Sequence, residues 1–64
     1  MDTITDFPAA LRQARASAGL SQLRMAEAME IPRRTIEQWE GGQRTPPPYV
    51  QRLVLRELER MSEK

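Results

Sequence analysis

Apolar residues recur along this chain at three- and four-residue intervals rather than alternating, so the pattern predicts helices and no strands. Leu11, Ala14 and Ala18 fall on one face, with Arg15 beside them, in a helix placed within residues 7–18. Asp6 is a suitable cap, Pro8 suits a first turn, where its missing N–H costs nothing, and Gly19 stands where a glycine ends a helix. Ser21 is a good N-cap for a second helix at about 22–29, with Met25 and Met29 on its inner face. Pro32 stops that helix and can open a third at about 33–40, which turns Ile36 and Trp39 inward and ends at Gly41-Gly42. A stiff "QRTPPP" link leads to a fourth helix from Pro48 to about Arg60, with Val50, Leu53, Val54, Leu58 and Met61 as its apolar stripe.

The connection between the second and third helices is the most informative feature. It is so short that the two helices must cross steeply. Ala26 permits the close approach, Leu20 and Ile31 add apolar cover, and Ile36 and Trp39 bury the inner face of the third helix. That leaves Arg33, Arg34, Glu37 and Gln38 pointing outward. Two arginines in a first helical turn oppose the helix dipole, so their placement calls for a compensating anion.

Composition narrows the chemistry. The 64 residues hold no cysteine and no histidine, which removes disulfides, thiolate zinc sites, the commonest metal ligand and the commonest general base. Enzymatic activity and a cofactor are not expected. No apolar run approaches the ~20 residues of a membrane span, and the start is acidic where a signal peptide is basic, so a cytoplasmic, nucleoid-associated protein is expected. The net charge of +1 does not announce a nucleic-acid binder, so any such role rests on where the arginines sit. Arg52, Arg56 and Arg60 form a stripe, but Glu57, Glu59 and Glu63 lie close enough to pair with it locally. With no repeat and no internal boundary, residues 1–64 read as one domain.

The stretch "GLSQLRMAEAMEIPRRTIEQWEGGQRTPPP" resembles the core of Cro/repressor-type (XRE-like) helix-turn-helix regulators. Glycine, N-cap, glutamine, alanine, turn and Ile-x-x-Trp-Glu all fall in register, over roughly residues 8–58. The resemblance implies an all-α, compact four-helix, lambda-repressor-like domain, with its helix-turn-helix at about 21–40 and a C-terminal helix at about 48–60. It also implies binding of double-stranded DNA through the major groove. Arg33, Arg34, Thr35 and Gln38 would then contact bases, while Ser21, Gln22, Gln43, Arg44 and Thr45 would contact phosphates. Arg15 and Glu40 align with a partly buried ion pair common in the family.

Two departures are visible. The family usually has glycine in the turn where this chain has Glu30, and Ser or Thr where it has Pro32. Many relatives continue into a fifth helix, so their dimer surface does not carry over. Leu55, off the Val50/Val54 stripe, is read as a dimer seam with Leu58. The functional expectation is a bacterial or phage repressor, binding an inverted-repeat operator as a homodimer. The runner-up is an antitoxin that also binds a protein toxin. The segment "PPPYVQRLVLREL" is similar to the last helix of phage anti-CRISPR-associated autorepressors.

Overall fold

The computed structural model describes residues 6–63, and these fold as helices α1 (Phe7–Ser17), α2 (Gln22–Met29), α3 (Arg33–Glu40) and α4 (Pro48–Ser62). Each boundary has a local cause. Asp6 Oδ1 accepts from the Ala9 N–H at 3.2 Å, and Ser21 Oγ accepts from the Arg24 N–H at 3.0 Å, so α1 and α2 are both capped by side chains. Neither Pro32 nor Pro47 can supply such a cap, and α3 and α4 start without one. Among the described residues no helix is long and apolar enough to cross a membrane.

The ends of α1, α2 and α3 share one device. After α3, Gly42 takes φ +77°, and the Gln43 N–H closes onto the Gln38 carbonyl at 2.9 Å. That is a left-handed cap, which glycine adopts without steric penalty. After α2 the same turn falls on Glu30, at φ 56° and ψ 43°, with the Ile31 N–H on the Ala26 carbonyl at 3.1 Å. A non-glycine residue there carries strain. Glu30→Gly is therefore expected to stabilise the fold by about 0.5–1 kcal/mol, the glycine's extra unfolded-state entropy offsetting part of the relief. A thermal melt should rise by several degrees, since ~1 kcal/mol moves a domain of this size about 4–8 °C. An unchanged or lower midpoint would refute the strain account.

The core lies where the helices converge. Leu11, Met25, Ile36 and Leu58 are fully enclosed, and Phe7, Ala26 and Val54 are buried beside them. α1 is the central element, packing on both α3 and α4, while α2 packs on α3. Phe7 meets Trp39 edge to face, with ring centroids 6.1 Å apart and 67° between the planes. Nothing in the apolar spacing picked out Phe7, which lies one residue before Pro8 at the start of α1.

Two expectations for α4 need correction. Leu53, expected in the apolar stripe, is 58% exposed, because the buried face runs through Gln51, Val54 and Leu58. Leu58, expected in a dimer seam with Leu55, has no exposed surface and belongs to the core of the single chain. Leu55 is half-buried and packs against that core. Gln51 is the polar member of the inner face. Its Nε2 donates to the Pro46 carbonyl at 2.8 Å and ties the proline link to α4.

Candidate nucleic-acid interface

The fixed point of the interface is Glu40, buried at the C-terminal end of α3. Its Oε2 accepts from Arg15 Nε at 2.7 Å and its Oε1 from Arg15 Nη2 at 3.1 Å, a two-pronged pairing between α1 and α3. Arg15 Nη1 also donates to the Leu20 carbonyl at 3.0 Å, drawing the α1–α2 link into the same cluster. Gln22 Nε2 completes the carboxylate's shell, donating to Oε1 at 3.0 Å. The main-chain carbonyl of Glu40 accepts from Arg12 Nη1 at 2.8 Å. One residue thus fastens the end of α3 to α1, to the start of α2 and to the loop between them.

Sequence reasoning placed Arg15 with Glu40 but gave no role to Arg12 and no protein partner to Gln22. The signal for Arg12 was its i, i+3 spacing from Arg15, which puts both guanidinium groups on the side of α1 that faces α3. Gln22 retains a second amide hydrogen and its carbonyl oxygen, which remain available to another molecule.

From that anchor α3 turns its other face outward. Arg33, Arg34 and Glu37 are exposed, and Thr35 and Gln38 are half-buried. The wheel places Arg34 and Gln38, one turn apart, farthest from the buried Ile36 and Glu40. Arg33 Nε lies 3.1 Å from Glu37 Oε2, an exposed pair one turn along the same helix. Such pairs are weak and easily exchanged for a stronger anion.

Beyond α3 the chain doubles back at once. The Gln38 carbonyl accepts both the Gln43 N–H at 2.9 Å and the Arg44 N–H at 3.3 Å. Gln43, Arg44 and Thr45, all exposed, are therefore held in a fixed relation to the last turn of the helix. At the start of α2, Ser21 Oγ is occupied as an acceptor by the cap, while its hydroxyl hydrogen is left to donate.

Residues 6–61 match the family described as a helix-turn-helix domain. The chain belongs to that family. The helix-turn-helix is α2 and α3 with the three-residue link Glu30–Pro32. Comparison with curated proteins and with solved structures returns no match. Membership carries DNA binding and a regulatory role, and domains of this family are typically not enzymes.

Proposed function

We propose that this helix-turn-helix protein is a sequence-specific transcriptional repressor that binds a palindromic operator as a homodimer. The first turn of α3 enters the major groove, where Arg33 and Arg34 present guanidinium forks to guanine O6 and N7. Gln38 reaches a neighbouring base edge, and Thr35 a thymine methyl or a phosphate. Ser21 and Gln22 take a phosphate at the start of α2, where main-chain N–H groups also point outward. Gln43, Arg44 and Thr45 hold the backbone on the far side of α3.

The observation that supports this reading best is the division of α3 into two faces. Ile36 and Glu40 are locked inside, while Arg34, with no ion pair among the described residues, and Gln38 lie on the opposite side. Two heads are needed because one short helix makes few base contacts. Half-sites about one helical turn apart, ~34 Å, double them.

Selection from random duplex DNA, followed by footprinting, should return an inverted repeat. Affinity should fall steeply with salt as counterions are released. Selection of a single unrepeated site would remove the palindrome from the reading. A flat salt response would remove DNA as the ligand.

A further inference from the structure

We propose that Glu37 is a specificity-determining residue, accepting a hydrogen bond from the 4-amino group of a cytosine in the major groove. The proposal rests on the DNA-binding reading above and adds one base to the half-site. Glu37 is exposed, and the helical period sets it between Arg33 and Arg34 on the outward face of α3. Ile36 and Glu40 are buried on the other face. No pose that seats both arginines in the groove leaves Glu37 outside it.

A carboxylate in that place needs a donor. It accepts hydrogen bonds and cannot give one, the groove is walled by phosphates, and closing on DNA takes it out of water. In the free protein the donor is Arg33, whose Nε lies 3.1 Å from Glu37 Oε2. The two residues are one turn apart, so this contact lays the Arg33 side chain along its own helix. An arginine held that way does not reach forward to a base. When Arg33 extends to guanine O6 and N7, Glu37 loses its donor at the moment it is desolvated. The other carboxylate of α3, Glu40, is taken up by Arg15 and Gln22 inside the fold.

The base edges decide what replaces Arg33. Guanine shows two acceptors, and thymine shows an acceptor and a methyl group. Adenine sets its N6 donor beside the N7 acceptor, so one carboxylate oxygen would meet a hydrogen and the other a lone pair. Cytosine alone presents a donor, N4–H2, with no acceptor on the same base. One turn of α3 rises about 5.4 Å and a base pair about 3.4 Å, which puts the cytosine one or two base pairs from the guanine of Arg33. Glu37 also rejects: opposite any other base, or against the phosphates of unrelated DNA, its charge goes unpaired.

Selection of random duplexes by the full chain, followed by binding titrations, tests the contact. The wild type should prefer cytosine at one position of the half-site. Glu37→Ala should lose that preference, keep the others, and bind unrelated DNA more tightly, because a negative charge has left the interface. Its helical circular dichroism should be kept, since the side chain is exposed. Glu37→Gln should move the preference toward adenine, whose N6 and N7 fit an amide. An operator carrying pyrimidin-2-one (cytosine without its 4-amino group) at that position should bind the wild type about tenfold less tightly. The same change should cost Glu37→Ala little.

If Glu37→Ala and Arg33→Ala relax the same position, Glu37 acts only by placing Arg33, and the cytosine contact is overturned. A preference that Glu37→Ala leaves intact overturns it too, as does a pyrimidin-2-one effect equally large in the variant. A wild type that selects no sequence, or binds no DNA, overturns instead the reading on which the contact rests.

Discussion

Glu40→Ala is expected to lower the stability of the fold by about 3–5 kcal/mol, the range for removing one partner of a buried ion pair. The Arg15 side chain is only 20% exposed, so the variant strands a charge that water can barely reach. Arg15 loses both prongs of its contact, and Gln22 loses its acceptor. A single core of this size supplies no more than ~3–5 kcal/mol in all, so the variant should be largely unfolded at room temperature. Far-UV circular dichroism would show this directly as lost helical signal. The double variant Arg15→Met with Glu40→Leu should recover much of the loss, because no charge is then left buried. The Arg12 contact survives in both, since it uses a main-chain carbonyl. A Glu40→Ala protein that melts like the wild type would mean that the cluster contributes nothing to the fold.

The contrast between that cluster and the rest of the interface explains what could be read from the sequence. The helices were legible because their ends carry strong local chemistry: Asp6, Ser21 and Gly42 act within a few residues of themselves. The outer face of α3 was legible for a related reason. Once Ile36 and Trp39 are taken inward, the helical period leaves Arg33, Arg34 and Gln38 outside. Partners far apart in the sequence were harder. Gln22 lies 18 residues from Glu40, and Arg12 lies 28. Only the family register placed Arg15 against Glu40, and it did not extend to the other two. On α4 the apolar spacing was ambiguous, because Val50, Leu53, Val54, Leu55 and Leu58 span more than one face. The choice between faces depends on where α1 packs, and that also decided for Gln51 and against Leu53. Glu30 shows a local rule being overridden, since the turn geometry is imposed by the crossing of α2 and α3 and the residue complies under strain.

Arg34→Ala should reduce affinity for the operator by about 10- to 100-fold, and Arg33→Ala by a similar or smaller factor. These follow from ~1–3 kcal/mol of discrimination for each guanidinium–guanine pair. The smaller effect falls on Arg33 because it lies against Glu37 in the free protein and must exchange that contact for a base. Neither variant should lose stability, because both side chains are exposed and a positive charge in the first turn of α3 opposes the helix dipole. That separation makes the experiment decisive, since unfolding and lost recognition give different melting curves. Arg34→Lys should not rescue binding, since an ammonium group cannot reproduce the planar fork. Gln22→Ala provides the comparison: a phosphate contact carries no direct base information, so its loss should weaken operator and unrelated DNA alike. The arginine variants should instead weaken the operator far more than unrelated DNA, bringing the two affinities closer together. Folded Arg33→Ala and Arg34→Ala proteins that bind the operator as tightly as the wild type would remove α3 as the recognition helix, even though the helix-turn-helix fold would stand.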